Sequence, residues 1–396
     1  MTNGGSRGSR LLGPATVPPS RGQPLLTACL IVRDEASLLP GCLESLAGVA
    51  DEIVVVDTGS RDGTAALAAQ VGARVLSRPW REDFGWARNE ALAAARGSWV
   101  LSIDADERLR APDGSAAPAR DLRLLLREGA ASGHHLWNRS LASEDGRLLA
   151  VELVPRLFRR VPGARFVHSI HEYPLLPDGH HWAPTELVEL LHLGYIPDLL
   201  QRRQKHARNL RLLEAAVARA PGDAYLRFHL GHQLGAVGRW DEALPHLAAA
   251  VGASGMEHLP GALDLATALG RLGLFAEADE HCRRLVVHHP AHPDAWLAWA
   301  DVLARAGRPR DALFCALRCI GLQDQPRSGG FRSGRSAQAA WAVVGGACED
   351  MGETERALAA YWESVRLWPD PIIGARLERL LAARALPAPV PVGSPV

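Results

Sequence analysis

The stretch that decides the fold is Trp99-Val100-Leu101-Ser102-Ile103-Asp104-Ala105-Asp106-Glu107. Its mostly apolar first half predicts a short buried strand, and acidic residues follow at once. Side chains alternate along an extended backbone, so Asp104 and Asp106 are expected to point the same way. Two carboxylates placed in this manner suit one hard divalent cation, Mg²⁺ or Mn²⁺. The alternative is that Asp106 and Glu107 cap the following turn.

Two earlier apolar runs, at 28–32 and 53–56, also end in acidic residues, Glu35 after the first and Asp57 after the second. Helical patterns separate these runs, and alternating strands and helices predict a parallel sheet with helices on both faces. Ligands of such sheets bind beyond the carboxyl ends of the strands. We therefore expect three loops, which carry Asp34-Glu35, Asp57 and Asp104/Asp106, to meet in one crevice.

Four segments taken together resemble glycosyltransferase family 2, an α/β family of the GT-A fold with a Rossmann-like, mostly parallel sheet. They are Cys-Leu-Ile-Val-Arg-Asp-Glu (29–35), Asp-Glu-Ile-Val-Val-Val-Asp-Thr-Gly-Ser-Arg-Asp-Gly-Thr (51–64), Asp-Phe-Gly-Trp-Ala-Arg-Asn-Glu-Ala-Leu (83–92) and the acidic stretch at 99–107. The resemblance is to the subgroup with Asp-Ala-Asp-Glu and a later His-Glu. One departure is Asp34, where the family more often has asparagine.

The resemblance implies inverting, metal-dependent transfer of a sugar from a nucleotide-diphosphate sugar, with a UDP-sugar as the family's usual donor. It implies that Asp57 contacts the uracil or ribose, that Glu35 reaches the ribose and that Arg88 lies near the base or phosphates. It places the metal at Asp106, with Asp104 on either the metal or the ribose. From the residues alone, Asp57 equally fits the start of a turn, and Arg88 equally fits a helix surface.

The acceptor side of the site is expected around His171 and Glu172. By resemblance Glu172 occupies the position of the base that removes the acceptor's proton, and His171 is the alternative base. The other interpretation is that neither residue is the base and that the two order the acceptor loop through contacts with other protein groups. His192, in Leu191-His192-Leu193-Gly194-Tyr195, matches a histidine that completes metal coordination in relatives, although a lone histidine is more often structural.

The chain repeats itself after residue 198. Gly-containing units end in alanines at 243, 278, 312 and 357, which are spaced by 35, 34 and 45 residues. A period of 34 residues is typical of tetratricopeptide helix pairs. The longer last step coincides with a Gly/Ser/Arg-rich insert at 325–336, which predicts an exposed loop. Four tryptophans are expected in the core between helices: Trp296, Trp299, Trp341 and Trp362.

With 396 residues the chain has room for two domains. We predict a disordered tail at 1–24, a GT-A domain at 25–197, helical repeats at 198–385 and a flexible tail at 386–396. The 44 basic and 44 acidic residues balance, which disfavours a nucleic-acid partner. Six cysteines without metal-ligand spacing, no bilayer-length apolar run and no signal peptide predict a cytoplasmic protein with free thiols.

Three functions were weighed on these features. The first is a glycosyltransferase whose repeats bind a protein, peptide or glycan acceptor, or a partner protein. The second is a tetratricopeptide interaction scaffold with an inactive transferase domain. The presence of Asp57, Asp104, Asp106 and Glu172 disfavours a loss of catalytic activity. The third is a nucleotidyltransferase, which usually opens with a Gly-rich phosphate loop that residues 30–35 lack.

Overall fold

The structure is a computed structural model that describes residues 23–142, 146–193, 199–323 and 331–385. The predicted tails fall almost entirely outside the described residues. The chain divides into two compact units, with boundaries at 138/139, 152/153 and 194/195. Each unit is built from its own kind of secondary structure, and each is taken by itself below.

The first unit alternates strands and helices. In chain order these are β1 (Leu26–Val32), α1 (Leu39–Ser45), β2 (Glu52–Asp57), α2 (Thr64–Gln70), β3 (Arg74–Ser77), α3 (Phe84–Ala94), β4 (Trp99–Ser102), β5 (Glu107–Arg110), α4 (Ala119–Glu128), β6 (Gly133–Leu141), β7 (Leu148–Arg159), β8 (Arg165–Val167), β9 (Tyr173–Leu175) and β10 (Trp182–His192). The boundary between the units runs through β6 and β7, so one end of each strand is counted with the second unit.

The main sheet has the strand order β3-β2-β1-β4-β7-β6-β10-β5. β3, β2, β1 and β4 pair in parallel, because each connection between them contains a helix that can cross over the sheet. β7 pairs with β4 in the antiparallel sense, and β5 pairs with β10 likewise. The predicted α/β fold with a Rossmann-like parallel region is confirmed.

β1 is the centre of this unit's core because it is covered on both faces. Leu26, Ala28 and Leu30 belong to one buried apolar cluster, which also contains residues of α1 and α4. Cys29, on the opposite face, belongs to a second cluster formed with β2 and α3. Strands buried on both faces read as continuous apolar runs, which is why the sequence signals β1 so clearly. The carboxyl ends of β1, β2 and β4 are thus held by a rigid, packed base.

The second unit is built from consecutive helices. They are α5 (Leu199–Arg219), α6 (Ala224–Ala236), α7 (Trp240–Ser254), α8 (Leu259–Arg271), α9 (Phe275–His288), α10 (Pro293–Arg305), α11 (Pro309–Gly321), α12 (Ser336–Asp350), α13 (Thr354–Leu367) and α14 (Pro371–Ala385), with a short strand β11 (Phe331–Ser333) before α12. The four repeat alanines all lie in the second helix of a pair, α7, α9, α11 or α13, and all are fully buried. The predicted helical repeat is confirmed.

Glycines allow the helices of a pair to approach closely. A Cβ atom on Gly231 of α6 would lie 2.6 Å from the Leu247 side chain of α7. A Cβ atom on Gly345 of α12 would lie 2.4 Å from the Tyr361 ring of α13. Atoms this close overlap, so only glycine fits at these two positions.

The prediction of an exposed loop at 325–336 is wrong for the C-terminal part of that segment, from residue 331 onward. Residues 324–330 lie outside the described residues, but β11 pairs with residues 150–152 of β7 in the antiparallel sense. Ser336 begins α12 and is buried. Backbone hydrogen bonds that the local composition does not reveal, such as Gly334 N to Leu149 O at 2.7 Å, order this segment.

Three of the four tryptophans pack as predicted against the core of the repeats: Trp296, Trp299 and Trp341. The prediction is wrong for Trp362, whose surface is 55% exposed. All six cysteines are buried and free, as predicted. Within the described ranges, no helix combines the length and apolar character that a membrane crossing requires.

Candidate active site

The loops that follow β1 and β2 are tied to each other by Asp34. Its backbone N–H donates to Ser60 Oγ at 3.0 Å, and its Oδ1 accepts from Arg61 N at 2.7 Å. Asp34 has a φ of 55°, a left-handed conformation that aspartate and asparagine tolerate better than most residues. Asp34 therefore joins the two loops, through contacts that asparagine could also make. Glu35 is fixed beside it, since its N–H donates to Thr64 Oγ1 at 2.8 Å.

Asp57, the last residue of β2, is buried and starts a turn. Its Oδ1 accepts from Gly59 N at 3.3 Å, Ser60 N at 3.0 Å and Ser60 Oγ at 2.6 Å. This is the turn role that the sequence allowed. The predicted nucleotide contact, which would use the other oxygen, stays a prediction.

Asp104 and Asp106 do not share the extended backbone that the sequence led us to expect. β4 ends at Ser102, and residues 104–107 form a turn closed by Glu107 N donating to Asp104 O at 3.0 Å. The Glu107 side chain stabilises the turn, because its Oε2 accepts from Asp104 N at 2.9 Å. Local side-chain hydrogen bonds of this kind compete with strand extension. The two aspartates consequently engage different partners.

Asp104 is held by two arginines. Its Oδ1 lies 2.8 Å from Arg88 Nη2, and its Oδ2 lies 3.0 Å from Arg156 Nη2. Burial by itself would raise the pKa of Asp104, but the charges of Arg88 and Arg156 outweigh burial and lower this pKa well below its usual range. Asp104 is therefore ionised and already neutralised by protein groups.

Arg156 also neutralises Glu107, the first residue of β5. Its Nη2 lies 3.0 Å from Glu107 Oε1, and the Glu107 side chain is almost fully buried. Burial nevertheless raises the pKa of Glu107 to about 7. Arg156 comes from the Pro-Arg-Leu-Phe-Arg run of β7. The sequence alone predicted no role for Arg156.

Asp106 pairs with His192, at the end of β10. Asp106 Oδ2 lies 3.2 Å from His192 Nε2. β10 lies beside the turn because it pairs with β5, where His192 is opposite Glu107. Burial alone would lower the pKa of His192, but its hydrogen bond to Asp106 raises this pKa above the ordinary value. The structure thus brings together two of the three predicted metal ligands.

Glu172 lies in the loop between β8 and β9, and its side chain is 11% exposed. Its Oε1 is 2.5 Å from Arg88 Nε. Arg88 is buried on α3, which excludes the helix-surface position. The predicted base and the predicted donor-side carboxylate Asp104 therefore share one arginine. His171, the alternative base, adopts a left-handed φ of 51° in the same loop.

The donor set at Asp106 and His192 fits a divalent ion as a partial shell. A carboxylate oxygen and an imidazole nitrogen lie side by side, and Mn²⁺ accepts both ligand types. Ions of this class commonly complete their shell with water and substrate phosphates. Asp104 does not join the pair, because both of its oxygens bind arginines. In the part of the chain that the structure describes, no three His, Cys, Asp or Glu side chains form a metal cluster.

A cavity of about 740 Å³ lies elsewhere in the first unit, beside the amino ends of β1 and β2. Its lining includes Arg96, Arg123, Asp51 and Glu52. The acids pair with the arginines, Arg96 with Glu52 at 2.6 Å and Arg123 with Asp51 at 2.7 Å. Because none of the predicted site residues lines it, we place the candidate active site at the carboxyl ends of the strands instead.

Comparison with known families matches two segments of the chain. Residues 27–111 match the family model "Glycosyl transferase family 2". These residues form a family 2 glycosyltransferase domain. The domain includes Glu35, Asp57, Arg88 and the acidic turn at 104–107. Residues 191–319 match a tetratricopeptide repeat model, in agreement with the helical second unit.

Three relatives illustrate the range of similarity. A TPR repeat-containing protein of Synechococcus elongatus is 37% identical over 222 residues, which are 52% of this chain and 51% of that protein. The SPbeta prophage-derived glycosyltransferase SunS of Bacillus subtilis is 26% identical over 57% of this chain and 52% of its own. A glycosyltransferase of Rickettsia felis is 37% identical over 84 residues, 21% of this chain and 29% of its own. The matches thus span about half or less of each relative.

Proposed function

We propose that this protein is an inverting glycosyltransferase that moves a sugar from a nucleotide-diphosphate sugar, of the UDP-sugar class, to an acceptor hydroxyl. The observation that carries the proposal is the convergence of acids within and beside the family 2 domain. Asp57 ends β2, Asp104 and Asp106 follow β4, and these two strands flank β1; Glu172 joins Asp104 through Arg88. Sugar transfer needs groups on both sides of the anomeric carbon, and this arrangement supplies them.

In the proposed reaction, the acceptor oxygen forms a bond to the anomeric carbon while the bond from that carbon to the diphosphate breaks. Glu172 takes the acceptor's proton. Because Oε1 of Glu172 already accepts from Arg88, the proton goes to Oε2. His171, the neighbouring residue in the loop, is the alternative base. Asp57 and Glu35 contact the nucleoside in this proposal.

We assign Asp106 and His192 as the protein ligands of a bound Mg²⁺ or Mn²⁺. When bound there, the ion neutralises negative charge on the diphosphate. The Asp106–His192 contact of 3.2 Å supports this assignment, since both donors already face each other at the end of β10. Asp104 acts differently: its two arginine contacts favour the ribose side or a purely orienting role.

The repeats supply the acceptor side of the proposal. Stacked helix pairs create extended binding surfaces, which suit a protein, a peptide or a glycan acceptor, or a partner protein. We place the reaction in the cytoplasm, where the six buried thiols would stay reduced.

The proposal is tested by donor hydrolysis, because this reaction requires no knowledge of the acceptor. Purified full-length protein is incubated with UDP-glucose, UDP-N-acetylglucosamine or GDP-mannose, with and without Mn²⁺, and nucleotide release is measured. We expect one UDP-sugar to be hydrolysed only with the metal. If no donor is hydrolysed and no nucleotide shifts the melting temperature, the protein is instead a tetratricopeptide scaffold with an inactive transferase domain.

A further inference from the structure

Arg88 is a buried cation whose three nitrogens are all bonded to protein groups. Nε donates to Glu172 Oε1 at 2.5 Å, Nη1 to Ser102 Oγ at 3.0 Å and Nη2 to Asp104 Oδ1 at 2.8 Å. The residue as a whole is 6% exposed. Three of the five N–H donors of this guanidinium are thereby bound to protein groups, and its burial leaves little surface for a ligand. This geometry differs from the nucleotide contact that the family resemblance implies.

The loop that carries Glu172 is fitted closely to the first turn of α3. Phe84 N donates to Ser169 O at 2.8 Å. A Cβ atom on Gly85 would lie only 2.2 Å from His168 O. His168 and His171 both adopt left-handed φ values, 66° and 51°, which non-glycine residues hold only when the surroundings impose them. α3 therefore shapes this loop at two places, its first turn and Arg88.

We propose that Arg88 is a positioning residue that orients Glu172 toward the acceptor, and that it does not bind the nucleotide. This inference rests on the proposed function, since it assigns the base to Glu172. A planar guanidinium can hold two carboxylates and a hydroxyl in fixed directions at once. Lysine keeps the charge but is a single flexible ammonium, so it cannot reproduce the three directions.

The test compares Arg88→Lys with a matched control, Arg78→Lys. Arg78 also pairs with α3, through Glu90 at 2.6 Å, but its side chain is 39% exposed and otherwise bonds to Ser77 O. Its backbone N–H donates to Asp57 O at 2.9 Å, a bond that lysine keeps. Hydrolysis kinetics use the donor that the wild type hydrolyses fastest. We expect Arg88→Lys to lower kcat about 100-fold with KM changed less than about threefold, as misplacement of a reacting group predicts. The control should stay within about twofold of wild type.

A double-mutant cycle with Glu172→Gln separates positioning from general structural damage. If Arg88 acts through Glu172, Arg88→Lys should lower kcat less than about threefold once Glu172 is replaced. Circular dichroism and the melting temperature show whether each variant is folded. Should Arg88→Lys fail to fold, Arg88→Gln and Ser102→Ala are measured in its place, with the smaller loss expected for the serine, which contacts one nitrogen only.

Two results would overturn the inference. One is a large increase in KM at unchanged kcat, which indicates a nucleotide contact. The other is a full loss of kcat by Arg88→Lys in the Glu172→Gln background, which indicates a role independent of Glu172. Both require an active wild type, so they are distinct from failure of the proposed function, in which wild-type protein hydrolyses no donor.

Discussion

Gly85→Ala tests how closely α3 shapes the loop that carries Glu172. The added Cβ would lie 2.2 Å from His168 O, whereas ordinary contacts begin at 3.4 Å, so the loop or the helix must retreat by at least 1.2 Å (3.4 minus 2.2). A movement of this size breaks the hydrogen bond from Phe84 N to Ser169 O. Overpacking and one lost hydrogen bond together should lower the free energy of unfolding by about 2 kcal/mol.

The same substitution should impair donor hydrolysis. Glu172 lies four residues beyond His168, and displacement of a reacting group by about 1 Å costs roughly 100-fold in rate. We would measure urea unfolding and the hydrolysis kcat side by side. The matched control is Gly252→Ala in α7, where nothing lies within 4 Å of the new Cβ. Because alanine favours helices over glycine by up to about 1 kcal/mol, the control should be neutral or slightly stabilising.

Unchanged stability and unchanged hydrolysis in Gly85→Ala would refute the reasoning, since the Cβ could then be accommodated without moving the loop. Lower stability with unchanged hydrolysis would refute only the predicted effect on activity, because the loop would then move without displacing Glu172. The control excludes a general effect of replacing a helical glycine.

Three further predictions concern other parts of the molecule. Asp106→Ala should abolish metal-dependent donor hydrolysis yet shift the melting temperature little, because the contact it removes, with His192 Nε2 at 3.2 Å, is worth about 1 kcal/mol; a large loss of folding stability would show that the carboxylate is structural. Burial would raise the pKa of Asp51, but hydrogen bonds from Arg123 and Leu26 N lower it below the ordinary value of 3.8. The ionised Asp51 therefore contributes to the free energy of unfolding above pH 3.8, and this contribution is lost as the pH falls through the lower pKa of the folded state. Asp51→Asn should therefore cost about 1 kcal/mol near neutral pH and nothing in strong acid; an equal cost at both would contradict this. Gly345→Ala places a Cβ 2.4 Å from the Tyr361 ring and should destabilise the helical repeats by about 2 kcal/mol in thermal unfolding, and an unchanged transition would show that α12 and α13 can separate at no cost.

The sequence by itself determined the elements and their order. Apolar runs that end in acids mark β1, β2 and β4, and the spacing of the alanines marks the helix pairs, because both signals arise from residues close together in the chain. The same signals placed Asp57 and Asp104 at one edge of the sheet. Residues 325–330 of the predicted insert lie outside the described residues, so the loop there stays a prediction.

Only the tertiary structure decided which charges meet. Arg88 and Glu172 are separated by 84 residues, and Arg156 reaches Glu107 across 49, so no local pattern could pair them. The carboxylates of Asp104 and Glu107 likewise lie where arginines from other elements compensate their buried charge. Apolar periodicity depends on residues that are neighbours in the chain, whereas buried charge is compensated between strands and helices that are distant in sequence. The directions of Asp104, Glu107 and Glu172 follow from that compensation.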